Sequence, residues 1–220
     1  MTEPTRIIAI RHGETLWNVD TRIQGQLDIP LNPVGHGQAR RLANALKDEP
    51  VTAVYSSDLM RASQTAGYLA SELGMEVNHE PGLRERNFGD FEGKTFAEIE
   101  AVLPLQATRW RKRDPQFAPA GGESLLDLTS RVVETASRLA ARHPGELIAL
   151  VGHGGVMDVL YRAGARLDIQ AARTWALGNA AINRLLWTPG GFTLVGWSDT
   201  QHLDETLDDG ISPSKLAKQT

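Results

Sequence analysis

The chain has 220 residues, 23 Lys plus Arg against 27 Asp plus Glu, a formal net charge of −4 and no cysteine, with a pI near 5.9. The missing cysteine excludes disulfides and thiolate chemistry. The mildly acidic balance argues against nucleic acid as a partner, and no stretch reaches the ~20 apolar residues of a membrane span.

Arg6–Ile10 (RIIAI) is short, apolar and β-branched and predicts a buried strand. The apolar run is too short for a signal peptide, so the expectation is a soluble, cytoplasmic chain with no membrane partner. Asp20–Pro33, rich in Gly, Pro, Asn and Asp, reads as a loop. Ala39, Leu42, Ala43 and Leu46 recur at helical spacing over Gly35–Asp48. Ala53–Tyr55 predicts a second strand. Leu59, Ala62, Ala66, Leu69 and Leu73 mark one face of a helix that Gly74 ends. Glu76–His79 reads as a strand, Gly82–Gly93 as a loop and Thr95–Leu103 as a helix. Pro104–Gly122, with three prolines, a basic cluster and Gly121-Gly122, reads as an irregular excursion. Glu123–His143 predicts a long amphipathic helix. Leu147–Val151 (LIALV) predicts a strand buried on both faces, followed by a helix near Gly155–Ala163. Ile182–Trp187 and Phe192–Trp197 flank Thr188-Pro189-Gly190-Gly191 as a hairpin. The polar tail beyond Leu203 reads as frayed or disordered.

Strands alternating with helices predict a three-layer α/β/α sandwich with a mostly parallel central sheet. One domain over 1–203 is expected, with an insertion at about 90–122 and a polar tail at 204–220. A chain of this length buries roughly 70% of its unfolded surface without covalent staples. Ligands of such sheets bind at the carboxyl ends of the strands. Arg11-His12-Gly13 lies at the end of the first strand, and Gly152-His153-Gly154-Gly155 at the end of the Leu147–Val151 strand. If the two strands are neighbours, His12 and His153 face one pocket, and the glycines let backbone N–H groups approach a ligand.

Ser57 or Asp58 is expected to cap the Leu59–Leu73 helix, leaving Arg61 in its first turn and off its apolar face. A cation there is unfavourable unless an anion is present. Arg11, Arg61 and a helix N-terminus together suit a phosphate dianion. Glu85 lies in a loop. A carboxyl beside a phosphate is repelled when ionised, which favours the protonated form able to donate to a leaving alkoxide.

These residues resemble the histidine phosphatase superfamily, also called the phosphoglycerate mutase-like family. The resemblance rests on Arg11-His12-Gly13-Glu14-Thr15 with Asn18, on Ser57-Asp58-Leu59 with Arg61-Ala62 and Gln64-Thr65-Ala66, on Glu85 ahead of Phe88-Gly89 and Glu92-Gly93, and on Gly152-His153-Gly154. It runs from about residue 6 to 160, in the family's order. It implies that His12 is the nucleophile of a phosphohistidine intermediate. Arg11, Arg61 and His153 would bind phosphoryl oxygens, and Glu85 would protonate the leaving group. Asn18 and Gln24 match positions that help hold phosphate or substrate, and Gly154 joins them in the phosphate site. No metal site is expected: HExxH, Walker and Cys/His patterns are absent from the sequence.

The implied activity is metal-independent phosphomonoester hydrolysis of a small phosphorylated metabolite, with no cofactor. The alternative is a mutase, which would need 2,3-bisphosphoglycerate to prime His12. The phosphatase branch is favoured by Phe88 where mutases carry a tyrosine, by Phe91-Glu92-Gly93-Lys94-Thr95, by Gly154-Gly155-Val156 where mutases tend to Gly-Asn-Ser, and by the short chain. A non-catalytic phospho-ligand binder and a metal hydrolase are the readings of other classes. The intact side-chain set disfavours the first and the missing ligand cluster the second.

Pro104–Gly122 is expected to form part of a lid, whose basic and aromatic residues suit a substrate with a second anionic group and equally a solvated loop. Glu123-Ser124 after Gly122 matches the family's Gly-Glu-Ser pattern, and Glu123 also reads as the start of the helix. Asp158, one turn past Gly154, reads as a false metal partner for His153, and Trp175, Trp187 and Trp197 read as packed. The substrate and the oligomeric state, monomer or homodimer, stay open.

Overall fold

The computed structural model describes residues 3–204. The polar tail predicted from Leu203 therefore lies almost wholly outside the described residues.

Ile7, Ile8, Ala9 and Ile10 give β1 (Thr5–Arg11) an apolar side chain on both faces. Such a strand is stable only when covered on both sides. The short α1 (Leu16–Val19) follows, then α2 (Pro33–Leu46), β2 (Val51–Ser56), α3 (Met60–Glu72) and β3 (Val77–His79). The loop predicted over Gly82–Gly93 holds only single 3-10 turns, Pro81–Leu83 and Gly89–Phe91. After it come α4 (Phe96–Val102), α5 (Pro104–Arg111), α6 (Leu125–Ala140), β4 (Leu147–Gly152), α7 (Gly154–Ala165), β5 (Ile182–Thr188) and β6 (Gly191–Asp199).

The strands form one sheet in the order β3-β2-β4-β1-β5-β6. β3, β2, β4 and β1 run parallel, and the β5–β6 hairpin adds antiparallel to β1. The pleat sorts the core into two layers. Ile7 and Ala9 of β1, with Ile148 and Leu150 of β4, pack under α6 and α7. Ile8 and Ile10, with Ala149 and Val151, pack against α2 and α3. The three-layer α/β/α expectation is correct.

Two local expectations need correction. The α3 cap is neither Ser57 nor Asp58. Leu59 occupies the cap position without a side-chain bond, and the first helical N–H, of Met60, donates to Asp28 Oδ1 at 2.6 Å. Asp58 is taken instead by a bidentate pair with Arg84, 2.7 Å at Nε. Second, the excursion at 104–122 begins as a helix. Pro104 sits in the first turn of α5, where its missing N–H costs nothing. Ala107 and Trp110, three apart, point into a small separate cluster with Phe91, Ile99 and Phe117. Prolines and basic residues hid a short helix whose apolar face is only two residues long.

Gly122-Glu123-Ser124 also resolves. Ser124 caps α6 with a reciprocal bond to Asp127, so Glu123 lies just outside the helix. Its carboxylate pairs with Arg131 and accepts from the Asn87 N–H, both in the 2.7–2.8 Å range.

Candidate active site

β1 and β4 are direct neighbours, with Arg11 opposite Gly152, and the His12 N–H donates to the Gly152 carbonyl at 2.9 Å. The two strand-end histidines therefore open onto one place. Their ring centroids are 5.2 Å apart, and both residues are buried. Glycine is required where the chain leaves β1: a Cβ on Gly13 would sit 2.6 Å from the Gly35 carbonyl oxygen. That close crossing fixes the turn after His12. Gly13 N–H donates to Thr65 Oγ1 at 3.0 Å, and the Thr65 hydroxyl donates to the Arg61 carbonyl at 2.8 Å, tying the β1 end to α3.

His12 Nδ1 lies 2.7 Å from the Gly13 carbonyl. A carbonyl only accepts, so the contact assigns the proton to Nδ1 and leaves the Nε2 lone pair free. Burial, then the Arg61 and Arg11 charges, hold the His12 pKa well below the ordinary histidine value. His153 is depressed in the same way by burial, Arg61, His12 and Arg11. Both imidazoles are neutral at physiological pH.

Two arginines face this pair. Arg61, fully buried in the first turn of α3, donates to the Gly25 and Leu27 carbonyls at 2.7 and 2.8 Å. Arg11 donates through one guanidinium nitrogen to the Leu177 carbonyl. Desolvation lowers the pKa of both, that of Arg61 to about 10, so both remain cations. Arg11 Nε, Arg61 Nε, Gln24 Oε1 and both ring nitrogens of His153 are buried without a partner among the described residues. Gln24 Oε1 is an acceptor and a neutral His153 carries one N–H, so the unpaired donors are N–H groups of Arg11, Arg61 and His153. Unpaired buried donors are costly, and these form a donor set for an anion.

Glu85 is held over the N-terminus of α7. The Gly155 N–H donates to its Oε2 and Oε1 at 3.0 and 3.1 Å, and the Arg86 N–H donates to Oε1 at 2.8 Å. A Cβ on Gly155 would displace that carboxylate. The carboxylate seat explains the second glycine after His153, whose role is steric.

Arg11, His12, Asn18, Gln24, Arg61 and Glu85 line one cavity of about 170 Å³. Arg11, Glu85 and Gly154 also line a larger adjoining chamber of about 470 Å³. All eight sequence-selected residues thus meet at the β1/β4 strand ends, His153 against the His12 ring. Asn18 has a second duty: its Oδ1 accepts from Thr15 N–H at 3.0 Å as the α1 capping box, and from Asn179 Nδ2 at 3.3 Å. Asn179 also donates to the His12 carbonyl at 2.9 Å. Asn179 and Arg173 were not found from sequence, since each reaches the site from a remote segment with no motif; Thr65 stands in the quoted Gln64-Thr65-Ala66 motif but was given no role there. Arg22 and Gly25, which line the smaller cavity, flank Gln24 and were within reach.

Among the described residues, no group of three His, Cys, Asp or Glu is placed to hold a metal. Asp158 Oδ2 accepts from Arg113 and Arg162 at 2.7 and 3.0 Å. Trp175 packs, stacking on Tyr161 with centroids 4.0 Å apart.

Paired strand-end histidines with a buried Arg61 and a half-buried Arg11 on an α/β sandwich define a phosphoryl-handling enzyme class. Residues 7–200 match the histidine phosphatase superfamily (branch 1), and the chain belongs to that family. It is 38% identical over 205 residues to phosphoglycerate mutase-like protein 4 of Arabidopsis thaliana, covering 91% of this chain and 87% of the relative. It is 37% identical to a metal-independent phosphoserine phosphatase of the same plant, covering 92% and 84%. The solved structure of mycobacterial glucosyl-3-phosphoglycerate phosphatase with VO3 superposes with a TM-score of 0.80 at 33% identity, covering 89% of this chain and 99% of that one. Relatives named as phosphatases support phosphatase activity of the histidine-phosphatase type. Among the described residues, no helix is long and apolar enough to cross a membrane.

Proposed function

We propose that the protein is a metal-independent phosphomonoesterase that works through a phosphohistidine at His12. The observation that carries this reading is the His12 Nδ1–Gly13 carbonyl contact of 2.7 Å in a site where the imidazole is held neutral. It presents an Nε2 lone pair, with no proton to remove first, to the cavity that Arg11 and Arg61 line.

The chemistry then divides into two displacements. The ester phosphoryl group lies against Arg11, Arg61 and His153, whose unpartnered nitrogens supply donors to its oxygens. His12 Nε2 attacks phosphorus; the P–N bond forms as the P–O bond to the alcohol breaks. Glu85 gives a proton to the departing oxygen. In the second step Glu85, now a carboxylate, takes a proton from water, the water oxygen attacks phosphorus, and the P–N bond breaks to return His12 and inorganic phosphate. Gln24 and Asn18 border the phosphoryl site, and Gly154 opens the first turn of α7 beside it. The substrate is a small phosphate ester.

The test is p-nitrophenyl phosphate hydrolysis with excess EDTA, wild type beside His12→Ala. Turnover that survives the chelator and vanishes in the variant supports the reading. Wild-type inactivity, or a variant that retains turnover, overturns it; inactivity directs attention to phosphoryl transfer between 3-phosphoglycerate and 2,3-bisphosphoglycerate.

A further inference from the structure

The larger chamber continues from the Arg11–Glu85 edge of the phosphoryl site, and its lining carries five arginines against two carboxylates. Four of the five are committed. Arg11 faces the phosphoryl cavity. Arg86 spends its donors on the Glu123 and Phe117 carbonyls at 2.8 and 2.7 Å. Arg113 and Arg162 share Asp158 Oδ2, and each also donates to backbone carbonyls. Arg173 alone remains: it is exposed, and no carboxylate among the described residues pairs with it.

Its position is nonetheless fixed. Arg162 clamps the preceding backbone at the Asp168 and Ala171 carbonyls, 2.6 and 2.9 Å. Trp175, two residues on, is stacked on Tyr161 and covered by the Arg162 guanidinium at 4.7 Å. The Leu177 carbonyl that follows accepts from Arg11. The segment bearing Arg173 is therefore fastened to α7 on one side and to the phosphoryl site on the other. The Arg173 charge is close enough to depress the Arg11 pKa. An uncompensated cation held near another cation, on the wall of a chamber whose other charged groups are already committed and whose lining includes the apolar Leu125, Val159, Ile169 and Leu177, is a recognition element for a negative charge.

We infer that Arg173 is a specificity residue that binds a second anionic group, carried on the leaving alcohol of the substrate across the larger chamber from the phosphoryl site. The substrate class is then a phosphate monoester of an acidic alcohol, such as a hydroxy-acid phosphate, with a carbon skeleton lying on the apolar wall. This rests on the phosphatase reading above.

The experiment compares kcat/KM for matched esters that differ only in the far group. 3-Phosphoglycerate is set beside glycerol 3-phosphate, and longer ω-hydroxy-acid phosphates beside diol monophosphates and bisphosphates of equal length. The wild type is expected to prefer the acidic member of at least one pair by roughly five- to tenfold, the range of a partly exposed charge-assisted contact, and to lose most of that preference in high salt. Arg173→Ala should bring the ratio toward one, chiefly through KM, Arg173→Lys should keep most of it, and Arg173→Glu should invert it. Preference for a carboxylate or for a second phosphoryl group supports the site in either case and names the anion. A wild type that hydrolyses p-nitrophenyl phosphate but shows no preference in any pair overturns the inference and leaves the phosphatase reading intact. So does a preference unchanged in Arg173→Ala. A wild type inactive on every ester overturns the phosphatase reading itself.

Discussion

Gly155→Ala separates the chemistry of the site from its fold. The added Cβ would fall far inside the 3.4 Å of ordinary contact with Glu85 Oε1, and would also stand 3.3 Å from Leu128 Cδ2. The flexible partner is the one that gives, so the carboxylate must retreat by about 1 Å or more and lose its bonds from the Gly155 N–H. A misplacement of that size costs about 100-fold when the group acts in the transition state, within the 10²–10⁴ that general acid catalysis supplies. The helix itself gains, since alanine is better than glycine inside a helix by about 1 kcal/mol. The expected outcome is a variant that melts within a few degrees of wild type and loses about 100-fold in kcat on an alkyl phosphate. On p-nitrophenyl phosphate, whose leaving group departs as a stable anion, the loss should be under about tenfold. Glu85→Gln should show the same split. Equal losses on both esters, or full activity on the alkyl ester, would refute the assignment of Glu85 as proton donor and of Gly155 as its seat.

Three further outcomes are expected. Rapid quench of wild type with substrate should trap a phosphoryl-enzyme that is labile in acid and stable in base, absent from His12→Asn; a base-labile adduct would point to a carboxylate nucleophile instead. His12 and His153 have folded pKa values below their unfolded value near 6.5, so below that pH the unfolded chain binds more protons and stability falls as pH drops toward the folded values. Urea unfolding should show about 2–3 kcal/mol less stability at pH 5.5 than at pH 7.5, and no such loss would mean that the histidines are not held neutral. Gly35→Ala would bring a Cβ within 2.8 Å of the Glu14 backbone nitrogen, and closer still to its carbonyl. Since backbone cannot rotate away, the variant should lose about 3 kcal/mol and melt roughly 6–12 °C lower; an unchanged Tm would show that α2 shifts freely relative to the β1 turn.

The histidines and arginines were legible in the sequence because each stands at a strand end or helix start that local periodicity marks; Glu85, in a loop, was legible only through the motif around Phe88-Gly89 and Glu92-Gly93. Asn18 was legible as a site residue, although its side-chain oxygen also accepts from the N–H of Thr15, the cap of α1, to complete the capping box. The helix at Pro104–Arg111 was not. Its apolar face is two residues long, too short for periodicity to register, and it is stabilised by Phe91, Ile99 and Phe117 from other segments.

The alternation of apolar strands with amphipathic helices, and glycine after each strand-end histidine, determined the architecture and the end of the sheet where chemistry sits, since those signals are local. Which strand neighbours which was decided by tertiary packing. Only the pairing of β1 with β4 brings His12 and His153 to 5.2 Å. The α3 cap comes from Asp28, 32 residues upstream of Met60. Arg173 reaches the chamber because Arg162 and Tyr161 fasten its segment to α7. Contacts of this kind join residues far apart in sequence, and no local pattern encodes them.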